Sequence, residues 1–161
     1  MPNYLRPDRP GACIFFTVAL NERGASHLTG NIGLLRQAVR QTMVERPFRI
    51  EACVVLPDHL HMIWKLPPGD ADFSTRWSVI KARFSRQMEP GPRRLSHVAR
   101  RERGLWQRRF WEHHLRGPAA LAEAVACCHE DPVKHGLVAR PEDWLYSSIH
   151  RARDIASGAA A

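Results

Sequence analysis

The sequence predicts an α+β fold: one domain built on a central antiparallel sheet with helices laid against it. Three observations carry that expectation. Short runs rich in β-branched and aromatic residues, such as Cys13 to Leu20, read as strands. Segments with an apolar residue at every third or fourth position, such as Ile32, Leu35, Val39 and Met43, read as helices between them. The run from Val54 to Trp64 turns back on itself at Pro57-Asp58, which makes two consecutive strands antiparallel neighbours.

The elements follow in order. Cys13 to Leu20 is a buried strand, and a loop with Asn21, Gly24 and Gly30 follows it. Asn31 is placed to cap the first helix, and Pro47 ends it. Phe48 to Leu56 alternates as a second strand, with Phe48, Ile50, Ala52, Val54 and Leu56 pointing one way. His59 to Leu66 returns as the third. After Pro67-Pro68-Gly69-Asp70, Ser74 is placed to cap a second helix with Trp77, Ile80, Phe84 and Met88 inward and Arg76, Arg83 and Arg86 on other faces. Residues 90–104 form a basic loop, and Trp106 to Leu115 a last strand. Gly117-Pro118 opens a third helix, with proline in its first turn, that runs to Asp131 and stops at Pro132. Trp144 and Ile149 pack the C-terminal segment back, and 152–161 frays. The order strand, helix, strand, strand, helix, strand, helix suggests a ferredoxin-like layer.

At 161 residues, with 44% hydrophobic content and five tryptophans, the chain supplies the core of a single domain spanning 1–161. No run of about 18 apolar residues marks a membrane span. The polar start, Met1 to Arg9, has no signal-peptide apolar core, and the four cysteines form no CxxC pair. Both point to a cytoplasmic protein with reduced thiols. The net charge is +8, and only three of the 24 basic residues are lysine. Arginine grips phosphate in two-pronged fashion, so the balance fits a nucleic-acid surface as well as a biased base composition. Arg108 and Arg109 are interleaved with Trp106, Phe110 and Trp111, a mixture that stacks bases and holds phosphates, although core packing accounts for at least two of the aromatics.

The most informative stretch is Pro57-Asp58-His59-Leu60-His61-Met62-Ile63-Trp64. On a strand Leu60, Met62, Trp64 and Leu66 share one face, and His59 and His61 share the other. Two imidazoles on one side of a rigid strand make half of a metal site.

With that motif placed, the chain resembles the REP-associated tyrosine transposases, single-tyrosine members of the HUH-endonuclease type. The resemblance runs through Phe15 to Val18, Ala52 to Trp64, Leu66 to Trp77, Trp106 to His113, Asp131 to Gly136 and Asp143 to Arg151. It implies a central antiparallel sheet carrying the two histidines, with a catalytic helix across that face. It implies cleavage and rejoining of single-stranded DNA, usually a hairpin of a palindromic repeat, in the course of DNA transposition. The implied cofactor is Mg²⁺ or Mn²⁺, held by His59, His61 and a polar helix residue. The implied nucleophile is a tyrosine on the same helix, which forms a 5′-phosphotyrosine link. The phosphate contacts fall to Arg93, Arg94, Arg100, Arg101, Arg103, Arg108, Arg109 and Lys134. Monomers and homodimers both occur in such enzymes.

Two positions depart from the family pattern. Its helix reads Tyr-x-x-x-Asn before Pro-Val-Lys-His-Gly; here Cys127 stands at the tyrosine and Asp131 at the amide. A carboxylate at Asp131 is a good ligand for Mg²⁺ or Mn²⁺. Cys127 is shorter than tyrosine, and its sulfur is soft where phosphorus is hard. Strand transfer then needs Cys127 or Tyr146 as nucleophile, and a metal-activated water would give hydrolysis instead. The alternative is a catalytically inactive or domesticated hairpin-DNA-binding protein. A two-histidine, one-carboxylate oxygenase shares the ligand set but fits neither the charge nor the fold.

Overall fold

A computed structural model describes residues 6–88, 95–99 and 104–151. Its elements are β1 (Cys13–Ala19), α1 (His27–Gly30), α2 (Ile32–Glu45), β2 (Arg49–Val55), β3 (His59–Lys65), α3 (Phe73–Ser85), α4 (Leu95–Ala99), β4 (Trp111–Leu115) and α5 (Gly117–Lys134), followed by a 3₁₀ turn at Pro141–Asp143. Arg93, Arg94, Arg100, Arg101 and Arg103 of the expected basic loop lie outside the described residues, as does the expected tail at 152–161.

The four strands lie in the order β2-β3-β1-β4, every neighbouring pair antiparallel. This is the ferredoxin-like arrangement, and it puts β3 and β1 at the centre of the sheet. The two faces have different partners. Ile14, Phe16, Val18, Leu60, Met62 and Trp64 point toward α2 and α3 and form the main core with Leu35, Trp77, Ile80 and Phe84. Its centre is aromatic: Phe16 meets Trp64 at 4.7 Å and Trp77 at 5.5 Å between ring centroids. On the other face Ala52, Val54 and Ile63 pack against Leu121, Val125 and Cys128 of α5. Thus α5 covers the β2–β3 half of the histidine face.

Several local expectations give way to tertiary effects. Phe48 to Leu56 does not alternate throughout. A β-bulge between Ile50 and Ala52 leaves Glu51 as an extra residue, so Phe48 and Ile50 face the main core while Ala52, Val54 and Leu56 face α5. Asn31 makes no side-chain cap to α2; its amide donates back to the His27 carbonyl, closing α1. The cap of α3 is Asp72, which accepts from the Thr75 N–H at 3.1 Å, and not Ser74. Arg76 is 3% exposed and not on a solvated face. It donates to both carboxylate oxygens of Asp70 and to the carbonyls of Arg46, Pro47 and Asp72. The last strand begins at Trp111, and Trp106 contributes only an isolated bridge to Leu20.

Helix α5 continues through Pro132 instead of stopping before it. Proline there lacks an N–H, but the helix ends within one turn, so few hydrogen bonds are lost. The end is fixed by a Schellman motif. Leu137 N–H donates to the Pro132 carbonyl and Gly136 N–H to that of Val133, each at 2.9 Å, with Gly136 at φ +69°. Among the described residues, no helix is long and apolar enough to cross a membrane.

Candidate metal centre

The histidine strand has the phase its sequence predicts. Leu60, Met62 and Trp64 enter the main core, and His59 and His61 face α5. Asp131, in the last turn of α5, comes down between them. Its Oδ2 lies 2.9 Å from His61 Nε2 and 3.4 Å from His59 Nε2. A third imidazole, not anticipated as a member of this group, completes the cluster: His135 Nε2 is 3.4 Å from the same oxygen. The ligand atoms of His59, Asp131 and His135 all lie within 4.8 Å of one another. The signal for His135 was available in the sequence, because residues four apart on a helix share a face.

The far side of each strand histidine is also held. His59 Nδ1–H donates to Asp58 Oδ1 at 2.7 Å. Asp58 is itself held by the Gly24 N–H at 2.8 Å and by Arg23 at 3.4 Å. A carboxylate only accepts, so neutral His59 carries its proton on Nδ1 and leaves the Nε2 lone pair for a cation, whereas protonated His59 donates to Asp58 from Nδ1 and to Asp131 from Nε2. His61 Nδ1 lies 2.9 Å from Thr17 Oγ1. A hydroxyl both donates and accepts, so Thr17 serves either tautomer of His61. Phe15 stacks against the His61 ring, with centroids 5.3 Å apart.

The electrostatics follow from this crowding. Burial pushes the Asp131 carboxyl up, but hydrogen bonds from His59 and His61 and the charges of His61 and His135 outweigh it, leaving the group far below the usual carboxylate range. Burial pulls His59 down, but hydrogen bonds to Asp131 and Asp58 and their charges reverse this, and the net shift is upward. Lone pairs of nitrogen and oxygen converge here, and they need a cation between them. A proton serves, and so does a metal. An ion bonded at about 2.1 Å sets adjacent ligands about 3.0 Å apart at right angles and about 3.4 Å apart at tetrahedral angles. The observed 2.9 and 3.4 Å are hydrogen-bond and ion-pair distances that also accommodate those spacings. The cluster therefore matches a divalent-metal site of the His/Asp/His kind.

The remaining expected residues are spread around it. Cys127 is exposed and lies four residues before Asp131, one helical turn back on the same face. Cys128 is buried under the sheet, and burial raises its thiol far above the ordinary value. None of the four cysteines forms a disulfide. Tyr146 packs against the main core on the opposite face of the sheet, edge-on to Trp144 at 5.5 Å, and so is not at the metal centre. Arg108, Arg109 and Lys134 are exposed. Lys134 adjoins His135 at the end of α5. Arg108 instead lines a cleft with Arg6, Lys81 and Arg86 between α3 and the segment before β4.

An antiparallel sheet offering two histidines on one face, met by a metal-ligating side chain from a crossing helix, defines the HUH-endonuclease fold. No protein-family model matches the chain. Individual relatives do. A REP-associated tyrosine transposase of Escherichia coli is 40% identical over 158 residues, covering 98% of this chain and 87% of that protein. Another from Haemophilus influenzae is 40% identical over 153 residues, covering 94% and 87%. The solved structure of a REP-associated tyrosine transposase bound to a REP hairpin superposes with a TM-score of 0.82, at 40% identity over 98% of this chain and 87% of that one. The chain belongs to the REP-associated tyrosine transposases.

Proposed function

We propose that the protein binds single-stranded and hairpin DNA of palindromic repeats around a Mg²⁺ or Mn²⁺ ion, and that Cys127 deprives it of the family's covalent strand-transfer step. The observation that carries this reading is the contrast along one face of α5. Asp131 and its histidines are fully assembled, outer hydrogen bonds included, whereas the position one turn earlier carries a short thiol. His59, His61 and Asp131 hold the ion, and His135 completes or borders its ligand shell. Asp58 and Thr17 orient the imidazoles. When bound, the ion withdraws charge from a phosphate oxygen and so polarises the phosphodiester for attack.

Arg108, Arg109 and Lys134 supply phosphate contacts, joined by Arg93, Arg94, Arg100, Arg101 and Arg103. The relative solved with a REP hairpin supports this assignment of substrate class. Four unbridged cysteines support a reducing, cytoplasmic location. The protein acts as a monomer or a homodimer.

Gel-shift titration with a hairpin oligonucleotide from repeats flanking the gene tests the binding half. The native chain binds in low salt and loses affinity as salt rises. Isothermal titration with Mn²⁺ tests the metal half: the native chain binds, and the His59→Ala and His61→Ala double variant does not. Native protein that ignores both hairpin and Mn²⁺ would refute the proposal.

A further inference from the structure

The register of the sheet places an exposed tryptophan in line with the metal centre. Val54 pairs with His61, His61 with Thr17, and Thr17 with Trp111, so these four side chains form one row across the face that carries the site. Helix α5 covers the Val54 end of that row. The Trp111 end is open, with the indole 78% exposed. In the next row His113, also exposed, is opposite Phe15, whose ring stacks on His61. Trp111, Phe15 and His61 thus share one face of the sheet, which runs from the metal site to the β4 edge.

The other four tryptophans are accounted for. Trp64 and Trp77 are in the core, Trp106 is edge-on to Phe84, and Trp144 donates to the Val55 carbonyl at 2.9 Å. Phe110, next to Trp111, packs on Phe16. Of the aromatic residues interleaved with Arg108 and Arg109, Trp111 alone is left at the surface. A large flat apolar ring held on a rigid strand, with Arg109 two residues before it and Arg116 one residue beyond the strand, both exposed, suits a nucleobase with its phosphate better than it suits water.

We infer that Trp111 is a stacking platform for an unpaired base of the DNA strand whose phosphate reaches the metal centre. This rests on the single-stranded DNA reading above and deepens it. Trp111 lies two strands from His61, about 10 Å at about 4.8 Å per strand. Stacked nucleotides in one strand rise about 3.4 Å each, so the stacked base is within about three nucleotides of that phosphate. The contact is to a base face, so it positions the strand without reading its sequence.

Trp111 provides its own probe, because it is the one strongly exposed indole of five. The experiment uses the full chain and a hairpin oligonucleotide with single-stranded flanks, in which 2-aminopurine is moved one position at a time. In free protein, acrylamide quenches a red-shifted emission that Trp111→Phe removes. On adding DNA that emission becomes shielded, and 2-aminopurine is quenched at one flank position within three nucleotides of the hairpin-proximal target phosphate. Trp111→Ala weakens binding roughly 5- to 100-fold, the range of one lost base–aromatic stack, while Trp111→Phe restores most of it. An unchanged thermal melt of Trp111→Ala separates this from a folding defect. If native protein binds the hairpin while Trp111 stays quenchable and Trp111→Ala binds equally well, the platform is overturned and the DNA reading stands. Shielding that depends on protein concentration without DNA would assign the face to self-association and also overturn it. If native protein binds no DNA at all, both readings fall.

Discussion

Replacing Asp58 tests how the metal centre is prepared. Asp58 lies on the far side of His59 from Asp131 and holds the ring from behind, through a 2.7 Å hydrogen bond to Nδ1. Two further contacts, from Gly24 at 2.8 Å and Arg23 at 3.4 Å, hold that carboxylate and keep it ionised below the usual range against the effect of burial. Asp58→Ala removes the acceptor, frees the His59 ring to rotate and lets its proton move to Nε2, where it competes with metal. Loss of such an outer partner costs about 10- to 100-fold in metal affinity, or about 1.4–2.7 kcal/mol. Asp58→Asn keeps a neutral oxygen for Nδ1–H and falls near the 10-fold end, since charge-assisted hydrogen bonds are about twice as strong as neutral ones. Thr17→Val, behind His61, costs less than Asp58→Ala, because water can replace a hydroxyl partner at that half-open position. Isothermal titration with Mn²⁺ measures all three. Native Mn²⁺ affinity in folded Asp58→Ala would refute the argument that the tautomer of His59 is set by Asp58.

Three further outcomes follow from particular contacts. Asp70→Asn destabilises the protein by about 1–2 kcal/mol at pH 7, because it leaves the buried Arg76 guanidinium without its charge partner; the full cost of breaking a buried pair is discounted here because Asp70 is one-third exposed. The Arg76 hydrogen bonds lower the Asp70 pKa, so its contribution is complete above about pH 4 and fades as pH falls through the lower folded value. Urea melts of native and variant protein should therefore converge in acid. Gly136→Ala forces a side chain into φ +69° and costs about 1 kcal/mol in a thermal melt, with weaker Mn²⁺ binding because Asp131 and His135 sit on the loosened turn. Tyr146→Phe leaves any cleavage of hairpin DNA unchanged, because Tyr146 packs on the face opposite the histidines; a drop in adduct would place it at the site after all.

The histidine strand was legible because period-two geometry needs no tertiary help. Every odd residue from His59 to Lys65 turns to one face, and the core confirms the even ones. The pairing of Asp131 with both histidines needed the family pattern, since 70 and 72 residues separate the partners. Strand β2 looked regular and was not, because one extra residue at Glu51 reverses the phase and nothing in its side chain announces that. Arg76 read as a surface residue because its acceptors are carbonyls at 46 and 47, on the far side of two strands of sequence. Trp106 and Trp111 are alike in a window of aromatics and arginines. Only the register separates them, with Trp106 buried beyond the ladder and Trp111 at its exposed start.

On the function proposed above, the protein keeps the family's metal centre and lacks its nucleophile. Mn²⁺-dependent cleavage of labelled hairpin DNA, run on native protein and on Cys127→Tyr and scored for a denaturant-resistant protein–DNA adduct, tests this most directly. Binding without adduct is expected from the native chain, and an adduct from Cys127→Tyr that disappears when His59 and His61 are replaced. An adduct from the native chain would contradict the proposed function.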